Sequence, residues 1–138
     1  MPLTRILVLI SIFLAYSSVS IAQLVSVQQV KFTFLKNNWF VGEVQILTDR
    51  NTDPQAISDK FVENVNIRLY LGFQNNNLAE NIDYYVAQSD IMILEQGDKN
   101  IVRFFIPDKI IKMHRYRIPQ FYYAEVVVDK KVQKLNSR

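Results

Sequence analysis

The chain has 138 residues, no cysteine, 49% hydrophobic and 21% charged residues, and a formal net charge of +3. That length suits one ordinary domain, and the missing cysteine excludes a disulfide scaffold, a thiolate zinc site and a cysteine nucleophile. The small net charge argues against nucleic-acid binding.

Met1 to Arg5 carries one positive charge, Ile6 to Tyr16 is apolar apart from Ser11, and Ser17 to Ala22 is small and polar. This is the pattern of a secretory signal, with Ser20 and Ala22 at the small positions before the cut and Gln23 as the mature start. A spanning helix needs about 20 apolar residues, and this run ends sooner, so the processed chain is not expected to cross a membrane. Residues 1–22 are therefore assigned to the signal and 23–138 to a single domain of 116 residues. Export to a periplasm, cell surface or extracellular space follows. The chain also lacks an Asn-x-Ser/Thr acceptor, and with no cysteine this points to a bacterial envelope.

Period-two alternation dominates the rest. "VKFTF" puts Val30, Phe32 and Phe34 on one face, the asparagines of "KNNW" suit a tight turn, and "WFVGEVQIL" (39–47) returns. Residues 48–60 read as a polar loop. "NVNIRLYLGF" (64–73) is the clearest strand, with Val65, Ile67, Leu69, Leu71 and Phe73 alternating with polar or small residues. After the loop 74–81, "DYYVAQSDIMILE" (83–95) reads as two strand pieces broken near Gln88–Asp90. "QGDKN" is a hairpin turn, "IVRFFI" (101–106) returns, and Pro107 stops it. "PDKIIKM" (107–113) suits a short helical connection. "FYYAEVVV" (121–128) and "KVQKL" (131–135) close the chain as a hairpin around Asp129 and Lys130.

About seven strands with one short helical connection predict an all-β, antiparallel two-sheet β-sandwich of immunoglobulin or fibronectin-III type; a small barrel is the alternative. The general shape resembles immunoglobulin-like sandwiches, with no family motif matched. In that order the third and sixth strands are neighbours, and Tyr122 or Tyr123 is placed to tie down the corner after the helical connection.

Charge divides along the chain. Residues 23–98 hold five basic residues against ten acids, a net of −5, and residues 99–138 hold ten against three, a net of +7. Lys109, Lys112, Arg115, Arg117, Lys130 and Lys131 are expected to form a positive patch, either for an anionic glycan or polyanion or simply to keep a loop and an edge strand in water.

Catalytic and metal signals are thin. Asp49, Asn51 and Asp53 have the spacing that opens a calcium loop, but Pro54 and Lys60 stand where an EF-hand needs glycine and glutamate. A polar turn is the expected reading, with a loose metal site as the weak alternative. His114 is the only histidine and is expected to be a solvent-facing or hydrogen-bonded loop residue. Neither a Gly-x-Ser-x-Gly motif nor a convincing carboxylate pair is present. The chain is therefore read as a non-enzyme without a cofactor, a small hydrolase being the alternative.

The aromatics give the sharper signal. If the most apolar sets face the core, Arg68, Tyr70, Phe121 and Tyr123 share one outer surface, and Trp39 points away from the core as well. Exposed rings beside an arginine suit protein interfaces and sugar-binding faces. A slip of one residue would reverse every side chain. The expected function is a protein-interaction or structural module, by self-association or with a protein partner. Glycan or polyanion binding is the alternative.

Overall fold

The computed structural model describes residues 23–35, 39–74, 81–115 and 117–133. The signal segment 1–22, the asparagine turn 36–38, most of the loop expected at 74–81 and the last part of the expected closing strand lie outside them.

Among the described residues, seven strands and one helix follow in chain order: β1 (Val25–Phe34), β2 (Phe40–Thr48), β3 (Phe61–Gln74), β4 (Ile82–Glu95), β5 (Lys99–Ile106), α1 (Asp108–Met113), β6 (Phe121–Val128) and β7 (Lys131–Val132). They form two separate antiparallel sheets, β1-β2-β5 and β4-β3-β6-β7. The molecule is a β-sandwich, as the alternation predicts, rather than one closed barrel. β3 and β6 are neighbours, with Tyr70 opposite Tyr123 and Leu69 opposite Ala124.

The core lies between the sheets because each strand sends one apolar face inward. Phe40, Val44 and Ile46 of β2 meet Val65, Ile67, Leu69, Leu71 and Phe73 of β3, closed by Ala124, Val126 and Val128 of β6. Burying each large aliphatic or aromatic chain contributes about 1.5–3 kcal/mol. At Gly42 the interior is tight: an added Cβ would stand 2.7 Å from Leu69 Cδ2 and 3.2 Å from Phe32 Cε1. Leu69 of one sheet thus fills the space that a side chain on the other would need.

Several details differ from the sequence reading. β4 is one continuous strand of fourteen residues, not two pieces, because its pairing with β3 runs without a register shift through Gln88, Ser89 and Asp90. β3 begins at Phe61, before the alternation becomes visible. Asn64 adopts a left-handed backbone (φ 55°), which asparagine tolerates, so Val62 and Val65 are both buried although three residues apart. β7 is short, although the Gln133 amide still donates to the Val126 carbonyl at 2.8 Å. Asp129 and Lys130 both have positive φ (46° and 65°), the paired left-handed geometry of a tight hairpin turn.

The corner between β5 and β6 is held by a residue other than the tyrosine expected there. α1 carries the chain from one sheet to the other with Ile111 fully buried, and His114 follows it, only 6% exposed. The imidazole lies flat on Phe73, with ring centroids 4.3 Å apart and planes 13° from parallel. Its Nε2 shares a 3.2 Å hydrogen bond with the Tyr85 hydroxyl and stands 3.8 Å from Asp83 Oδ2. His114 is therefore a buried, hydrogen-bonded corner pin and not a solvent-facing loop residue. Tyr122 instead packs edge-on against Phe32, and Tyr123 stands beside Tyr70.

Candidate interaction face

The outer surface of the β4-β3-β6 sheet is built in rows, because antiparallel pairing places residues of equal facing directly opposite one another. Tyr84, Gly72 and Phe121 form the first row, and Val86, Tyr70 and Tyr123 the second. Gln88, Arg68 and Glu125 form the third, and Asp90, Asn66 and Val127 the fourth. The face thus grades from aromatic at one end to polar at the other.

Gly72 makes the aromatic end possible. A Cβ there would stand 3.1 Å from Phe121 Cβ, 3.2 Å from Ile82 Cγ2 and 3.5 Å from Tyr84 Cε1, so neighbours from both flanking strands close over the bare backbone. Tyr84 is 73% exposed, Phe121 55% and Tyr123 40%. The Tyr70 and Tyr123 rings sit 5.8 Å apart and tilted by 43°, within the range of favourable aromatic pairs.

The polar rows are tied into one network. Arg68 donates to Glu125 Oε2 at 3.1 Å and to Asn66 Oδ1 at 2.9 Å, and Asn66 Nδ2 donates to Asp90 Oδ1 at 2.7 Å. The Tyr70 hydroxyl also donates to Glu125 Oε2, at 3.3 Å. One carboxylate oxygen therefore fixes both an arginine and a tyrosine. The Arg68 pKa is raised, first by its hydrogen bond with Tyr70 and then by Glu125, so the guanidinium stays charged. Burial, with the negative charge of Glu125 and then the nearby Tyr70, pushes the Tyr123 phenol above its ordinary value. The network lies along a shallow depression of about 620 Å³ that Lys130 and Asp129 also line.

The sequence-predicted residues distribute unequally. Arg68, Tyr70, Phe121 and Tyr123 share this face. Trp39 does not: it stands on the outer surface of the other sheet, edge-on to Phe105 at 6.0 Å and 50% exposed. It precedes β2, which belongs to the opposite sheet, so facing away from the core takes it away from Tyr123. The positive patch also divides. Lys109, Lys112, Arg115 and Arg117 surround the α1 corner before β6, whereas Lys130 and Lys131 stand at the turn after it. The eight residues of β6 separate them by about 23 Å. Lys112 is moreover paired with Asp108.

The loop after β2 folds on itself. Asn51 Oδ1 accepts from the Asp53 amide at 3.0 Å, and Asp53 Oδ1 accepts from the Gln55 amide at 2.9 Å. The Asn51 amide donates to the Asp59 carbonyl at 2.9 Å, and Arg50 pairs with the Asp59 carboxylate at 2.6 Å. Two of the three oxygens proposed for a metal thus serve a turn. Among the described residues, no three His, Cys, Asp or Glu side chains converge as a metal site would require, and no helix is long and apolar enough to cross a membrane.

Sequence reasoning missed Tyr84 and Val86. The alternation "DYYVAQSD" was the available signal, and breaking the strand at Gln88 concealed that these residues continue the Tyr70 and Phe121 rows. Scanned against protein-family models, curated proteins and solved structures, the chain finds no match.

Proposed function

We propose that this protein is an exported, non-catalytic β-sandwich that serves as a protein-interaction or structural module of a bacterial periplasm or cell surface. Its working surface is the outer face of the β4-β3-β6 sheet. The observation that carries this reading is the row arrangement: the exposed rings of Tyr84, Phe121 and Tyr123, with half-buried Tyr70 between them, form one platform from three strands, bordered by an arginine–glutamate pair. Aromatic residues and arginine are the side chains that interfaces concentrate at their energetic centres. Tyrosine rings held by neighbouring strands lose little conformational freedom on binding.

Export rests on the signal-like segment at residues 1–22. The non-catalytic reading is supported by the chemistry of the face: of its two acids, Glu125 is engaged through Oε2 by Arg68 and Tyr70, and Asp90 accepts from Asn66. The immunoglobulin-like type is proposed from the strand order, three strands against four with β3 beside β6.

The test is affinity capture from the envelope extract of the cells that make the protein, with Tyr123→Ala and Phe121→Ala variants run in parallel. The reading expects a captured protein whose recovery falls at least tenfold in both variants while their unfolding midpoints stay unchanged. Retention on an insoluble polysaccharide after all other proteins are removed would point to glycan binding instead.

A further inference from the structure

The outermost strand of a sheet exposes unpaired N–H and C=O groups, and folded proteins guard such edges with lysines, prolines, bulges or shortness. Four strands form the edges here: β1 and β5 of one sheet, β4 and β7 of the other. Three are guarded. β1 has a register shift between Val27 and Gln29, and Lys31. β5 begins at Lys99, contains Arg103 and stops before Pro107. β7 is two residues long and starts at Lys131.

β4 lacks lysine, proline, a bulge and shortness, and its only guards are acidic side chains. It runs for fourteen residues without a lysine, arginine, proline or glycine. Tyr84, Val86 and Met92 stand exposed along it. Its charges, Asp83, Asp90 and Glu95, are all negative.

The stacking of the sheets places β1 over β6, β2 over β3 and β5 beside β4. One flank of the sandwich therefore presents two edges together: one guarded only by acids and a basic one, joined by the turn at Gln96–Asp98 and running in opposite directions. We propose that this flank is a self-association surface in which β4 of one copy pairs with β5 of a second copy. A two-fold axis parallel to the strands brings the flank onto itself, exchanges the two sheets and sets β4 antiparallel to the second copy's β5. The same operation pairs β5 with the second copy's β4, as a closed two-fold interface requires. Two continuous seven-stranded antiparallel sheets result.

Charge selects the second copy and this pairing. β4 against β4 sets acids near acids, and β5 against β5 sets Lys99 and Arg103 near their equivalents. β4 against β5 brings Glu95 towards Lys99 and Asp90 towards Arg103, which also holds Glu43 at 2.8 Å, so unlike charges meet across the strands. The exposed Ile101 and Phe105 of β5 then come beside Met92 and Gln88, because the turn holds Glu95 and Lys99 at one level and the axis preserves it. Since β5 has eight residues, the two strand pairs engage about sixteen residues per copy, below the roughly 20–30 of a standard interface. The dimer is accordingly expected to dissociate on the order of micromolar concentrations.

The pairing uses the Gln88–Glu95 half of β4 and leaves the Tyr84, Tyr70, Phe121 and Tyr123 rings outside it, so one can fail without the other. Sedimentation of the protein as isolated from its cells is expected to show the mass doubling with concentration. Gln88→Lys puts a charge on the exposed middle of β4, and Lys99→Glu reverses one on β5. Each is expected to weaken the dimer at least tenfold, whereas Tyr123→Ala leaves it intact. Because the chain has no cysteine, single thiols report the partner strand cleanly. Mixed Met92→Cys and Ile101→Cys proteins are expected to cross-link to each other, through a short bis-maleimide, more than either does to itself. A monomer at every concentration, preferential Met92→Cys self-linking, or a dimer abolished by Tyr123→Ala but kept in Gln88→Lys would overturn the proposal.

Discussion

Tyr70 and Tyr123 are paired directly across β3 and β6, and their rings stand 5.8 Å apart on the solvent side of the sheet. Beneath the pair, Glu125 accepts hydrogen bonds from both Tyr70 and Arg68, so the ring platform and the charged row are mechanically one unit. Glu125→Gln keeps the shape but removes the charge that orders Arg68. The variant is expected to retain nearly all stability, losing about 1 kcal/mol or less for a pair that solvent reaches, while Arg68 loses its fixed position. Chemical denaturation checks the first statement, and a crystal structure of the variant checks the second.

The His114 corner predicts a larger cost. His114→Ala removes a ring stacked on Phe73 and leaves the partly buried Tyr85 hydroxyl without that hydrogen bond. Cavity and lost-bond effects together amount to about 2–4 kcal/mol. Urea unfolding should show a lower midpoint with an unchanged slope, and an unchanged midpoint would show that the corner is held elsewhere.

At Gly42 the expected change is overpacking rather than a cavity. Gly42→Ala places a methyl group 2.7 Å from Leu69 Cδ2, and a core that cannot shift loses about 1–3 kcal/mol. Pairing Gly42→Ala with Leu69→Ala makes the test specific. The double variant should be less destabilised than the sum of the two single ones, because the added methyl group enters the space that leucine vacates.

Much of this was legible in the residue pattern. The inward sets of β2, β3 and β6 follow from strict alternation, because a sheet buried on one face allows only one register. That alternation also placed Arg68, Tyr70, Phe121 and Tyr123 on one surface. What stayed hidden involved contacts between distant segments. His114 looked like a loop residue because nothing nearby in sequence shows that Phe73 and Tyr85 will reach it. Trp39 could be assigned an outward direction but not a sheet. The left-handed Asn64 disguised the first turn of β3, since one such residue resets the period.

Alkali gives a prediction with a definite sign. Burial, and secondarily Asp83, raises the Tyr85 phenol above its ordinary 10.0. Burial, then Glu125 and Tyr70, does the same for Tyr123. A raised pKa means the native state holds the proton more tightly than the unfolded chain. The resulting stability is complete below about pH 10 and is lost as the pH climbs through the native values. Unfolding measured between pH 9 and 12 should show this decline, and Tyr85→Phe should make it shallower. Stability rising over that window would contradict the burial of the phenols.

The most direct measurement of the central claim is the affinity of the captured partner for the wild-type protein and for Tyr123→Ala, by titration calorimetry at matched stability. A ring at the centre of an interface contributes about 2 kcal/mol or more. The account therefore predicts that Tyr123→Ala binds at least about 30-fold more weakly. A Trp39→Ala variant, altered on the opposite sheet, should bind as the wild type does. Equal affinity of Tyr123→Ala and wild type, or a loss confined to Trp39→Ala, would contradict the assignment of the β4-β3-β6 surface as the working face.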